Sequence, residues 1–275
     1  MNPAEIVQFI GIPVAVATAI LMLSWWALPA KHLQSLGAII AVGVATLVAF
    51  ALQEGLPSLP PTQQWHWLVL TVLAVFLFTC LYPFFQSLDN LVVLQALIAG
   101  IIASVFMQFP GQDSFLYRIC ILFLVFFVSI GLRRLKLPSW HLYIASWSVL
   151  ACLSILALQA SFAKLAFFAG SMSAVAAAMF VLQIVKPKET KSVQILFGVL
   201  IVGCGMCGAA YDPSRAVPLF AWFLPMAGIT LAAVVYFLCK TKYKAAFSIA
   251  ALELCVLFSV IWTFLQMTPN EEMWP

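Results

Sequence analysis

Long apolar stretches separated by short polar runs follow one another along the whole chain. A helix that crosses a membrane needs about 20 mostly apolar residues, because each residue advances about 1.5 Å through a hydrocarbon core about 30 Å thick. Ten stretches meet this requirement, although the third and the eighth are short. They cover residues 6–28, 36–54, 66–82, 91–108, 115–132, 140–159, 165–185, 193–210, 218–238 and 246–266.

The breaks between these stretches are too short to hold a soluble domain. They carry Pro and charged residues, as at 29–32, 57–61 and 186–191, and such residues end helices. The longest break, 55–65, has 11 residues, whereas stable domains start at about 50 residues. The first stretch lacks the basic flank and cleavage site of a secretory signal, so we expect it to be retained. The pattern predicts one all-α integral membrane domain over residues 1–275, a bundle of about ten spans.

The composition agrees with a membrane protein. The chain is 65% hydrophobic and 8% charged, with a mean hydropathy of +1.11, whereas soluble proteins carry about a quarter charged residues. These values exclude a soluble enzyme, a disordered segment and a nucleic-acid-binding domain. The net charge of +4 is also too small for a surface that binds a polyphosphate. We therefore expect the lipid bilayer, and no nucleic acid, as a partner.

The distribution of Lys and Arg predicts the orientation. Ten of the 13 lie in the odd-numbered connections between spans, and three lie on the other side, at Arg118, Lys164 and Arg215. Cytoplasmic connections carry an excess of Lys and Arg. Both termini are therefore expected on the extracytoplasmic side of a bacterial inner membrane or a plasma membrane. Rings at the span ends suit the membrane interface, and we interpret Trp65, Trp67, Trp140 and Trp274 as interfacial anchors.

A shift of 128 residues superimposes spans two to five on spans seven to ten. Under this shift, the tripeptide at 99–101 coincides with the same tripeptide at 227–229. Since five spans is an odd number, the two halves would have opposite orientations, as in the 5+5 inverted repeats of secondary transporters. Evenly spaced apolar stretches also superimpose under some shift, and three matched residues leave that alternative open.

Glu253 is the acidic residue that lies well inside a span, about nine residues after Lys244. Ionisable groups at membrane depth usually face protein or water. Helical spacing places two alanines on its face, so we expect this face to pack closely against a neighbouring helix. That face carries Ala246, Ile249, Ala250 and Leu257. Glu253 is either a proton-coupling carboxylate or a neutral acid hydrogen-bonded to another helix.

Gln95 is the second candidate for a substrate or proton pathway. It shares a ridge with Ala99 and Ala103, where glutamine also serves as a hydrogen bond between helices. Small residues on two later spans predict helix-packing surfaces, although a glycine cluster also marks helices that bend around a ligand. The packing candidates are Gly170, Ala174, Ala178, Gly203, Gly205 and Gly208.

No sequence feature indicates a metal, a cofactor or a catalytic site. The CxxC at 204–207 has no second cysteine pair and no histidine nearby, and a zinc site needs about four ligands. His66 is predicted at the opposite membrane face from His32 and His141, so it cannot share a haem with them. A haem between His32 and His141 is the remaining alternative. Motifs of metalloproteases, serine hydrolases and dinucleotide-binding enzymes are absent.

Two functions are compatible with this sequence and neither is enzymatic, while an intramembrane enzyme is a distant third alternative. The first is a small-molecule permease or secondary carrier, indicated by the bundle, the repeat and the carboxylate of Glu253. The second is a non-catalytic structural or assembly subunit of a larger membrane complex, with other membrane subunits as partners. The scarcity of polar residues within the spans favours this alternative.

Overall fold

The computed structural model describes residues 3–27, 31–56, 59–61, 63–81, 91–110, 114–134, 140–186, 193–212 and 215–266. These residues form an all-helical bundle. Its ten helices are α1 (Pro3–Ala27), α2 (Lys31–Glu54), α3 (His66–Cys80), α4 (Leu91–Phe106), α5 (Phe115–Arg134), α6 (Trp140–Gln159), α7 (Ala163–Val185), α8 (Val193–Ala210), α9 (Leu219–Leu238) and α10 (Lys244–Gln266).

Eight of these helices are long and apolar enough to cross a membrane, so the chain is an integral membrane protein. The exceptions are α3 and α4, with 15 and 16 residues. Both are apolar but shorter than their predicted stretches, and α4 ends two residues before Gln108. The eighth stretch, predicted to be short, is among the eight long helices. The existence of ten spans therefore stays a prediction.

Successive helices pack against each other. Paired contacts show that α6 and α7, and likewise α9 and α10, are antiparallel, and with short connections throughout, the direction of the chain alternates between the two ends of the bundle. Glu54 at the end of α2 pairs with Lys164 at the start of α7. Phe9, near the start of α1, accepts a hydrogen bond from Ser171 of α7 at 2.7 Å. We call this end, where α1 starts, the terminal end. The opposite end, where α5 finishes at Arg134, is called the basic end.

Helix α8 lies at the centre of the bundle. Every residue from 193 to 208 is buried, and the helix contacts α2 to α7 and α9. Its glycines lie against side chains of the surrounding helices. A methyl group on Gly208 would overlap the ring of Trp222, and one on Gly203 would lie 2.9 Å from Cε of Met107. An uncharged helix with small residues on several faces fits this central position.

The contacts between the two halves of the chain are not symmetric. If a two-fold repeat related α1–α5 to α6–α10, the observed contact between α6 and α8 would have a counterpart between α1 and α3. The observed contact between α5 and α8 would likewise have a counterpart between α10 and α3. Neither counterpart occurs among the described residues. The inverted repeat is therefore not confirmed.

Candidate functional site

Glu253 lies near the middle of the bundle and reaches a second helix. It is nine residues from the start of α10, which places it about 14 Å along the helix axis. Its Oε1 accepts a hydrogen bond of 2.6 Å from Oγ of Ser148 on α6. The expectation that this carboxyl group finds a polar partner on another helix is confirmed. Its part in a proton pathway stays a prediction.

The prediction of which face of α10 packs against the bundle is wrong. Ala246, Ala250 and Leu257 are exposed on the surface of the bundle. The packed face of α10 consists of Ser248, Leu252, Val256, Ser259 and Thr263. On this face, hydroxyl groups bind the backbone of α9, since Ser248 donates to the carbonyl of Ala232 at 2.7 Å. The serine hydroxyls, rather than the alanines, set the packed face, and half-buried Glu253 lies at its edge.

Gln95 is buried, with 4% of its surface exposed, and Ala99 and Ala103 on the same ridge are fully buried. Gly100, next to this ridge, packs closely on α5, because a methyl group in its place would lie 2.7 Å from the carbonyl oxygen of Leu122. Helix α4 contacts α3, α5 and α8, and in the described part of the chain it does not touch α10. The structure therefore does not bring Gln95 and Glu253 together.

The packing candidates on α7 have mixed environments. Gly170 faces α6, where a methyl group in its place would lie 3.1 Å from Oγ of Ser154. The same serine donates a hydrogen bond of 2.7 Å to the carbonyl of Ala166, one turn earlier on α7. Ala174 and Ala178 are half-buried. The small-residue ridge therefore lies in the α6–α7 contact at Gly170 and reaches the surface further along.

Several long polar side chains are buried near the basic end. They come from the starts of α2, α6 and α8 and from the end of α7, and each has 5% or less of its surface exposed. They are Gln34, His141, Tyr143, Gln183 and Gln194. Sequence reasoning left the three glutamines and the tyrosine out of the candidate site, because a polar residue near a span end resembles a boundary residue. Because the chain direction alternates from helix to helix, these positions all lie at the same end of the bundle. That alternation is the feature of the sequence that could have brought them together as one candidate site.

Ser129 of α5 and Gln194 of α8 belong to the same end of the bundle. Ser129 is 1% exposed and Gln194 is 2% exposed. Within the described part of the chain, neither Oγ of Ser129 nor Oε1 of Gln194 has a hydrogen-bond partner. A buried oxygen without a partner is costly, and such a group calls for an explanation.

The terminal end holds a second polar cluster that the sequence did not indicate. Glu54 forms an ion pair with Lys164 and lies 3.7 Å from Nε2 of His66, measured at its second oxygen. The three residues come from α2, α7 and α3. Beside them, the amide of Gln53 donates to the carbonyl of Lys164 at 2.8 Å and accepts from the N–H of Phe168 at 3.2 Å. This terminal-end cluster ties α2, α3 and α7 together.

Trp65 lies inside the terminal-end cluster, so its interpretation as an interfacial anchor is wrong. It is 1% exposed, and its ring centroid lies 5.2 Å from Phe50 and 5.0 Å from His66. Its backbone N–H donates to the hydroxyl of Tyr211 at 3.1 Å, and its indole N–H donates to Gln63. Phe50, Trp65 and His66 form a group of mutually contacting rings at this end. Trp274 lies outside the described residues.

The positions of Asp212 and of the two cysteines in α8 suit structural roles. The two carboxylate oxygens of Asp212 accept hydrogen bonds of 3.0 and 2.8 Å from the backbone N–H groups of Ala216 and Val217, so Asp212 orders the connection from α8 to α9. Cys204 and Cys207 are buried in α8 as free thiols. The side chain of His32 lies outside the described residues, so a pair with His141 is untested.

No family model, curated protein or solved structure matches the chain.

Proposed function

We propose that this protein is a secondary carrier that moves a small molecule across the membrane together with protons. The observation that carries the proposal is the 2.6 Å hydrogen bond between Ser148 and Glu253 in the middle of the bundle. Intramembrane acids commonly mark ion and proton paths. A carrier of this kind needs no metal, cofactor or catalytic residue.

The chemistry of the Ser148–Glu253 pair suits a group that gains and loses a proton. The serine hydroxyl donates to the ionised carboxylate, and after a rotation it accepts from the protonated carboxyl group. Neither state leaves the carboxyl group without a hydrogen bond. Because Glu253 is half-buried at the edge of the packed face, a change in its protonation state does not require α10 to separate from α9.

The buried polar residues of the basic end favour a carrier over a structural subunit. The scarcity of polar groups was the argument for the subunit, and it holds for charged residues only. Three glutamines, a histidine and a tyrosine are buried at this end. Sites that bind a polar molecule usually carry a few such polar groups among apolar side chains.

Transport-coupled proton movement tests the proposal. The purified protein is reconstituted into vesicles that contain pyranine, and amino acids, monocarboxylates and amides are added singly outside. We expect at least one solute to change the internal pH. Glu253→Gln should abolish this change while the protein stays folded, because Gln keeps the hydrogen bond to Ser148 but cannot titrate. Solute uptake without proton movement in the unmodified protein would contradict the proposal.

The subunit alternative predicts a different pattern for the same variants. Glu253→Gln would then have little effect, whereas Glu253→Leu would destabilise the bundle by leaving Ser148 without its acceptor. The protein would also be extracted from its native membrane in a stable complex with other chains. A silent Gln variant, no solute-driven pH change and such a complex would together replace the carrier by the subunit.

A further inference from the structure

Three lysines lie close together in the short connection between α9 and α10, at the basic end of the bundle. Residues 239–243 join the two helices, and the backbone N–H of Lys244 closes a turn by donating to the carbonyl of Thr241 at 3.2 Å. Both helices are long and apolar enough to cross a membrane. The connection therefore lies where the chain leaves the hydrocarbon core, at the level of the lipid headgroups. We call its three lysines, Lys240, Lys242 and Lys244, the lysine patch.

The ammonium groups of the lysine patch have no acid as a partner. All three lysines are exposed, and none forms an ion pair within the described part of the chain. Two lie over tyrosine rings instead, since Nζ of Lys244 is 4.7 Å from the ring centroid of Tyr236 and Nζ of Lys242 is 5.0 Å from that of Tyr243. The described acids lie near the terminal end or in the middle of α10. The positive charge of the patch is therefore not compensated by these residues.

Large apolar side chains border the lysine patch on the side of the hydrocarbon core. Phe237 and Leu238 end α9, Phe247 lies in the first turn of α10, and each exposes more than half of its surface. Further along α10, Leu254 and Leu257 are exposed as well. A soluble anion would meet only the ammonium groups, whereas a phospholipid would also lay its acyl chains on these side chains.

We propose that the lysine patch binds the headgroups of anionic phospholipids. The ammonium groups pair with phosphate oxygens, and the tyrosines beside them have the side chain that is enriched at the membrane interface. The distribution of Lys and Arg predicts this end in the cytoplasm, where anionic lipids attract basic segments next to a span. The bound lipid stabilises α10, which among the described helices packs only on α9 and α6. Lipid binding at this patch does not depend on the carrier function.

Thermal unfolding of the detergent-solubilised full chain tests lipid binding. The micelles are doped with increasing phosphatidylglycerol, or with phosphatidylcholine that has the same acyl chains. We expect phosphatidylglycerol to raise the melting temperature in a saturable way, with an apparent affinity about tenfold or more above that of phosphatidylcholine. Salt at about 1 M should remove most of this preference, because exposed charges are screened. Equal stabilisation by the two lipids would refute the proposal.

Variants of all three lysines locate the site. Replacing them together by Gln should abolish the preference for phosphatidylglycerol, whereas replacing them by Arg should keep it, because the charge is kept. The matched control removes three exposed cations elsewhere, Arg118, Lys186 and Arg215, in each case by substitution with Gln. The control lowers the net charge equally and should retain the preference. The same loss in the control would assign the preference to the net charge of the protein, and the lysine patch would be overturned as a site.

Two soluble probes separate a lipid from other anions. Glycerol 3-phosphate carries the charged group without acyl chains, and polyglutamate represents an acidic protein. We expect neither probe to raise the melting temperature, nor to remove the stabilisation by phosphatidylglycerol. Saturable stabilisation by glycerol 3-phosphate would make the patch a site for a soluble phosphate. Displacement of the lipid by polyglutamate, lost in the Gln variant, would make it a docking site for an acidic protein, and either result would overturn lipid binding.

Discussion

Ser161 adopts a left-handed backbone conformation, with φ of 57°, in the three-residue turn between α6 and α7. The turn is closed by hydrogen bonds from the N–H of Phe162 to the carbonyl of Ala157 at 2.8 Å and from Ser161 to Leu158 at 3.0 Å. Helices commonly end in this way, with glycine at the left-handed position. An L-residue there costs roughly 1–2 kcal/mol. The turn holds the start of α7, and with it Lys164, beside Glu54.

Replacing Ser161 by Gly should stabilise the protein. The left-handed strain is removed, while the greater freedom of glycine in the unfolded chain offsets part of the gain, which leaves about 0.5–1 kcal/mol. The measurement is the free energy of unfolding by sodium dodecyl sulfate in mixed micelles. Ser161→Ala is the matched control, since it removes the hydroxyl but keeps Cβ, and it should not stabilise. Equal effects of Gly and Ala would show that the backbone of Ser161 is not strained.

The ion pair of Glu54 with Lys164 should couple α2 to α7 by about 0.5–1 kcal/mol. The value is small because half of the Lys164 side chain is exposed, although that of Glu54 is only 12% exposed. A double-mutant cycle with Glu54→Gln and Lys164→Met measures the coupling as the departure from additivity. High salt should reduce it. Strict additivity of the two substitutions would mean that the ion pair does not stabilise the contact between α2 and α7.

At the scale of elements, α8 shows how small residues decide which helix becomes the centre. Glycines at 198, 203, 205 and 208 point toward α5, toward α3 and α4, and toward α9. With bulky residues at these positions, the surrounding helices could not approach the backbone of α8. Helix α10 has the opposite character, since among the described helices it packs only on α9 and α6 and exposes most of its surface. Exposed apolar residues on α10 suit contact with lipid.

Helices α4 and α5 approach each other closely at Gly100. Gly100→Ala should lower the free energy of unfolding by about 1–3 kcal/mol, because its Cβ would lie 2.7 Å from the backbone oxygen of Leu122, which cannot rotate away. Gly11→Ala is the control, since its Cβ would meet only Val7 at 3.8 Å. That variant should be unchanged or up to about 1 kcal/mol more stable. Equal destabilisation by both alanines would exclude close packing as the cause.

At the scale of the whole molecule, the lengths of the apolar stretches and the polar breaks between them were sufficient to predict ten helices and most of their bounds, because each helix is defined by its own residues. Burial depends on neighbouring helices, and the sequence could not supply those neighbours. Trp65 therefore resembled an interfacial ring, and Gln194 resembled a span boundary. Glu253 was found because a carboxylate within an apolar stretch is conspicuous without any neighbour. Its orientation was wrong because serine hydroxyls also bind the backbone of a neighbouring helix.

For the whole chain, the distribution of Lys and Arg predicts how the bundle is oriented in the membrane. In a variant without its seven cysteines, single cysteines are placed at two exposed positions, Ser114 at the terminal end and Lys242 at the basic end. A membrane-impermeant maleimide added to intact cells should label Ser114→Cys and leave Lys242→Cys unlabelled until the membrane is permeabilised, because basic connections stay in the cytoplasm. Labelling of Lys242→Cys alone would invert the orientation and place the basic end of the bundle on the outside. Labelling of both positions would show that α5–α9, which connect them, do not cross the membrane an odd number of times, and would reduce the number of spans below ten.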